Sequence, residues 1–366
     1  MSKTMLAARA YRGETEFRLE QIERPPVGDG EVLIEVKAAG LATGFLAMWH
    51  RGMFPIMPRT LGHEAAGVIA EIGPGVTNLE VGERVRLDPN LSCRHCDYCL
   101  TDREHMCAQH SIIGQNLFGP EGFPMFEKYH NGALAQYVLA PGWAIDKVPD
   151  AISFDVGAKI HDLSNAVHVL RVADPRPGST VVVTAATGAM GAAIARIAPL
   201  FGIHKVLAVA RSGARLAEIQ GLAHGLVETL ATEDLSDNWE SSGELTRELK
   251  KRIPGGPEYV IDFLPEGAGT WQAFSSMRNG GTGVVMGPNF EQPPIGTVAL
   301  MLNCWQIKGT RNGTRRDTQD VMRWITEGAL EIDDLITHRF PLSEVAEATK
   351  TVWERREPTW MVVVNP

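Results

Sequence analysis

Four cysteines crowd one short stretch as Cys93-x2-Cys96-x2-Cys99-x7-Cys107, while a fifth, Cys304, stands alone far downstream. Four thiolates at this spacing supply a closed tetrahedral shell for one zinc ion and leave no position open for a substrate. The segment therefore reads as a structural metal lobe, a single loop held by its ion rather than by a core. Four free or buried thiols, or an iron–sulfur cluster, are the other readings of the same residues. His95 and His105 interleave with the cysteines, are surplus to a complete shell, and are expected to be solvated. Five cysteines in 366 residues are too few for a disulfide scaffold and fit a reducing compartment.

Around that lobe the chain divides into three stretches. Up to about residue 150 the pattern is short strand-like runs punctuated by glycine and proline. Glu31-Val-Leu-Ile-Glu-Val-Lys alternates with period two, as a half-buried strand should. From about residue 155 the texture changes. Thr180-Val-Val-Val-Thr is a continuous apolar run, the mark of a parallel strand covered on both faces. A helical pattern at Ala192–Phe201, a strand at Lys205–Ala210, and further strands at Tyr259–Phe263 and Gly283–Gly287 follow. This alternation predicts an α/β fold with a doubly wound parallel sheet. A helix over Asp317–Glu327 and a closing strand at Trp360–Val364 complete the reading.

The turn after the first of these parallel strands carries the chemistry. Thr187, Gly188, Ala189, Met190 and Gly191 lie between strand and helix, where a dinucleotide's pyrophosphate is bound. Gly188 lets the backbone approach the phosphates, Gly191 lets the helix pack on the strand, and the helix N-terminus offers free N–H groups. Ala186 replaces the first glycine of the usual fingerprint. At the end of the next strand, where an acidic residue would hold a ribose 2′-hydroxyl, the sequence reads Arg211-Ser212 with Arg215 one turn later. Arg211 can pair with a 2′-phosphate and Ser212 can donate to it, so NADP(H) is predicted over NAD(H).

A net charge of −9 argues against a partner made of phosphate backbone. No apolar stretch is long enough to span a bilayer, and the first residues hold no secretory segment, so a cytoplasmic location is expected.

Several motifs together resemble the medium-chain dehydrogenase/reductase superfamily, and within it the zinc alcohol dehydrogenases. They are Gly62-His63-Glu64 with Ala65-Ala-Gly-Val-Ile, Val81-Gly-Glu-Arg-Val, the cysteine lobe, Asn131-Gly-Ala-Leu-Ala-Gln-Tyr-Val, the Gly188/Gly191 turn and His338-Arg-Phe-Pro-Leu. The resemblance implies a GroES-like β-rich catalytic domain over 1–160 carrying the zinc lobe at about 91–110. It implies a Rossmann domain over 161–310 and a C-terminal return over 311–366. An active site in the cleft between the domains and a homodimer or homotetramer are implied as well.

The same resemblance sets a metal-binding cysteine where this chain has Ala42, and a proton-relaying hydroxyl where it has Gly44. Two arrangements stay open. In one, a second, catalytic zinc rests on His63, Glu64 and Asp162, a hard donor set that binds zinc less tightly than thiolates do. In the other the site is metal-free, and Thr43, His50 or His161 helps to protonate the product. Phe45, Trp49, Phe54 and Phe118 are candidates for an apolar substrate pocket, with core packing as the alternative. The expected activity is hydride transfer between NADP(H) and an alcohol/carbonyl pair. Reduction of a C=C bond conjugated to a carbonyl is the enzymatic alternative, and a non-catalytic NADPH-binding protein the alternative from another class.

Overall fold

The computed structural model describes residues 3–223 and 225–366. They form two units, one of residues up to His161 together with Thr314–Pro366, the other of Asp162–Gly313.

The first unit is built on the strand Glu31–Gly40, which pairs antiparallel along one edge with Ala65–Ile72. Its other edge is shared. Glu31–Glu35 pair with the strand Tyr137–Pro141, and Ala39 and Gly40 pair with Val364 and Val363 of the final strand, Met361–Asn365. The C-terminal segment thus completes a sheet begun near the N-terminus. The period-two pattern of Glu31–Lys37 predicts one solvated face. Val32 and Ile34 enter the main core of the unit, but Leu33 on the opposite face is also fully buried, so both faces are covered and only Lys37 is exposed.

The cysteine lobe is a loop with two 3-10 turns, Cys99–Thr101 and Glu104–Met106, closed by the short antiparallel pair Asn90–Leu91 and Ser111–Ile112. One expectation is corrected here. His95 is exposed as predicted, but His105 is only 3 % exposed and belongs to the interior of the lobe.

The second unit is a six-stranded, all-parallel sheet. Its spatial order is Val227–Ala231, Lys205–Ala210, Thr180–Thr184, Tyr259–Asp262, Thr282–Val285, Gln306–Gly309. In chain order that is third, second, first, fourth, fifth, sixth. The order reverses between the first strand and the fourth, and such a switch point opens a crevice at the carboxyl ends of the strands. Val181, Val182 and Val183 are fully buried, as a strand covered on both faces requires. The helix after the first strand spans Ala189–Ile197, beginning three residues before the apolar pattern suggested. Its last turn tightens to 3-10 at Ala198–Phe201 and stops at Gly202, whose φ is +66°. Among the described residues no helix is long and apolar enough to cross a membrane.

Candidate functional site

The glycine turn builds the first element. Beyond the strand Thr180–Thr184 the chain turns through Ala185 at φ +48°, and Gly188 becomes the N-cap of the helix Ala189–Ile197. A Cβ on Gly191 would stand 1.9 Å from the Ala186 carbonyl oxygen, so helix and turn approach as closely as they do only because that side chain is absent. A Cβ on Gly188 would meet nothing nearer than 3.8 Å, which leaves an open approach to the helix N-terminus. No side chain caps that terminus and its first turn holds no acidic residue. Thr187 is 9 % exposed, and Ala189 and Met190 are half-buried in the first turn. Free amides and the positive end of the helix dipole fit a diphosphate.

Beside this turn lies a cavity of about 520 Å³ at the carboxyl ends of the first three strands, lined among others by Ala185, Arg211, Glu233, Asp237 and Gly267. Arg211 is exposed there. Ser212 caps the helix Gly213–Gly221, its hydroxyl accepting from the Arg215 backbone N–H at 3.5 Å. Sequence reading missed Glu233. Its backbone N–H donates to the Arg211 carbonyl at 3.1 Å, and its carboxylate accepts from the Gly213 N–H at 2.7 Å. A carboxylate therefore already sits on the amide that opens this helix, next to the arginine predicted to take a phosphate. The link joins two strand ends and has no local sequence signal.

The four lobe cysteines present their sulfurs within 4.8 Å of one another. Cys93 Sγ lies 3.8 Å from Cys99 Sγ, and Cys96 Sγ lies 3.5 Å from Cys99 Sγ. Thiolates 2.3 Å from a tetrahedral zinc stand about 3.8 Å apart, so the donor set fits that ion. Burial pushes the Cys99 thiol up to about 12. At Cys93 burial acts in the same direction but is outweighed by hydrogen bonds from the backbone of His95 and Cys96, and the thiol falls to about 6.

A second cluster of polar groups lies inside the first unit. His63 and Glu64 precede the strand Ala65–Ile72, while Lys159 and His161 come from the helix Phe154–Ala173. The His63 and His161 rings meet edge to face with centroids 5.0 Å apart, and the Phe45 ring meets His63 at 5.8 Å. Lys159 Nζ donates to Glu64 Oε2 at 2.5 Å, with side-chain exposures of 1 % and 0 %. A Cβ on Gly40 would fall 2.1 Å from the same Glu64 oxygen, so the carboxylate occupies room that only a glycine leaves. Burial, then the charges of His63, Arg86 and Lys159, hold the His161 imidazole well below the usual histidine range.

This cluster does not fit the metal arrangement that the sequence left open. Ala42 offers no donor, and the Glu64 carboxylate is bound to an ammonium group. Asp162 is 9 % exposed.

The remaining candidates divide by exposure. Thr43 opens the helix Thr43–His50 and is exposed. His50 is stacked on Trp353 at 5.2 Å and shares a hydrogen bond with the Thr15 carbonyl at 3.2 Å. Phe45, Trp49 and Phe54 are corrected as substrate-pocket candidates, being 0 %, 2 % and 2 % exposed and part of the first unit's core. Phe118 is 40 % exposed and stacks on His110.

Comparison with known proteins adds two family matches. Residues 28–150 match the alcohol dehydrogenase GroES-like domain, and residues 189–327 match the zinc-binding dehydrogenase domain. An alcohol dehydrogenase of Geobacillus stearothermophilus is 30 % identical over 332 residues, covering 89 % of this chain and 90 % of that protein. A protein described as a probable D-xylulose reductase A of Aspergillus clavatus is 28 % identical, covering 88 % and 86 %. The crystal structure of AibC superposes with a TM-score of 0.82 at 26 % identity, over 100 % of this chain and 96 % of that one.

Proposed function

The chain belongs to the zinc-type alcohol dehydrogenases of the medium-chain dehydrogenase/reductase superfamily, and from that premise we propose that it moves hydride between NADP(H) and an apolar alcohol/carbonyl pair. The observation that carries the coenzyme choice is Arg211, exposed on the cavity beside a helix N-terminus that holds no acidic side chain in its first turn. Arg211 takes the 2′-phosphate, the amides of Ala189 to Gly191 take the pyrophosphate, and Gly191 keeps helix and turn in register. When bound, the reduced nicotinamide supplies hydride to the substrate carbon. The exposed Thr43 hydroxyl is the group that delivers the balancing proton, since His161 is buried and His50 is engaged with Thr15 and Trp353. The four cysteines hold one structural zinc.

The Lys159–Glu64 pair also favours a second reading of the chemistry, reduction of a C=C bond conjugated to a carbonyl, in which no metal grips the oxygen. Incubation with NADPH and an aromatic enal separates the two. Allylic alcohol is the product of the first, saturated aldehyde of the second, and no NADPH oxidation across a panel of carbonyls and enals would refute both. A Thr43→Val variant that keeps full turnover would remove that residue from the proton path.

A homodimer is part of the same proposal. The strand Gln306–Gly309 is an edge of the parallel sheet, and the helix before it, Thr297–Asn303, exposes Val298, Met301 and Leu302 at 58 %, 67 % and 68 %. An open edge flanked by apolar side chains fits a self-association surface. Sedimentation equilibrium should give twice the chain mass, and a Met301→Asp variant should sediment as a monomer.

A further inference from the structure

A buried carboxylate needs a cation, and the interior of the first unit contains one. Glu64 is fully buried, and the ammonium of Lys159 lies 2.5 Å from its Oε2. Around that pair one ligand of the family's metal site is missing, and the Glu64 carboxylate is turned to other use. Ala42 presents a methyl group where the resemblance sets a thiolate. Gly40 leaves space for the Glu64 carboxylate on the side of its own strand. A divalent ion placed on His63 and Glu64 would have to share Glu64 with a lysine cation in a dry interior, where like charges repel strongly.

We propose that the Lys159 ammonium is a built-in cation that neutralises Glu64 and thereby closes this position to a divalent metal. Two features set it apart from an ordinary buried ion pair. It uses the glutamate of the Gly62-His63-Glu64 motif itself, and the lysine lies two residues before His161 on the helix that brings both into contact with that motif. Lys159 thereby acts as a positioning residue. At 1 % exposure it fixes Glu64, and through it the ground on which His63 sits, without touching substrate. Among the described residues the cysteine lobe is then the one metal site.

The test counts zinc and involves no turnover, so its outcome is independent of the coenzyme and substrate assignments above. Protein grown with excess zinc and dialysed is assayed by plasma mass spectrometry as wild type, as Ala42→Cys, and as Ala42→Cys with Lys159→Met. The expected contents are about one, one and two ions per chain, because the thiolate alone cannot recruit a metal while the ammonium remains. Two ions in the wild type or in the Ala42→Cys protein would overturn the proposal. So would one ion in a double variant that still melts cooperatively. Should the double variant fail to fold, Ala42→Cys with Lys159→Ala takes its place, two ions again being expected and one ion overturning the proposal.

Discussion

Lys159 Nζ and Glu64 Oε2 meet at 2.5 Å in a place where neither side chain is more than 1 % exposed. Removing one member of such a pair leaves the other charged and buried, which costs about 3–5 kcal/mol. Lys159→Met and Glu64→Gln should each lower stability by that amount in urea titrations. The double variant, with no charge left unpaired, should recover most of the loss. If the two single losses simply added, the pair would not be acting as a unit.

Arg211 and Glu233 line the same cavity with opposite charge. Arg211→Ala should weaken NADPH roughly 10–100-fold while changing NADH little, the worth of a charged hydrogen bond to phosphate. Glu233→Gln should strengthen NADPH roughly 3–10-fold, because the carboxylate that accepts from Gly213 N–H at 2.7 Å no longer repels the incoming phosphate. Fluorescence titration of the two coenzymes against each variant reads both effects. Equal losses for NADH and NADPH in Arg211→Ala would take the 2′-phosphate away from this arginine.

Burial pushes the Asp262 carboxyl up to about 6 from 3.8, more than the hydrogen bonds from Thr184 and Thr270 pull it down. The folded chain therefore holds this proton more tightly than the unfolded chain does. Stability contributed by the group is full below about pH 4 and is lost as pH rises to about 6, a loss of about 3 kcal/mol. Asp262→Asn carries no such charge. Its melting temperature relative to wild type should be higher at about pH 7 than at about pH 4.5 by several degrees. The reverse ordering would mean that the buried carboxylate is stabilised as an anion.

Much of this arrangement is legible in the sequence itself. The cysteine spacing is local, so the four sulfurs that gather within 4.8 Å were visible as a cluster in the chain. Thr180–Thr184 announces a covered parallel strand by its valines, and the following glycines mark the tight strand-to-helix turn. What escaped depends on partners distant in sequence. Lys159 reads as an ordinary helical lysine until Glu64, 95 positions away, is placed against it. Glu233 reads as a solvated turn residue until two neighbouring strands bring it to Gly213. His105 looks as wet as His95, and only the closure of the lobe buries it. Phe45, Trp49 and Phe54 showed the same ambiguity, since apolar bulk suits a core as well as a pocket, and the core took them.

The lobe itself should prove to be a folding element. Its backbone is mostly irregular, with Arg94 and Asp102 at positive φ, so a zinc on the four cysteines would supply what holds it. A strong chelator at elevated temperature should strip about one zinc per chain and lower the melting temperature, and re-added zinc should restore it. Cys99→Ser should mimic the stripped protein. An unchanged melt after complete removal of the metal would assign the four thiols no structural role.

Coenzyme binding measured by calorimetry goes to the centre of the account. The glycine turn, the free helix N-terminus and Arg211 predict about one NADPH bound per chain, more tightly than NADH, with the preference abolished in Arg211→Ala. Failure of the wild-type protein to bind either coenzyme would contradict it.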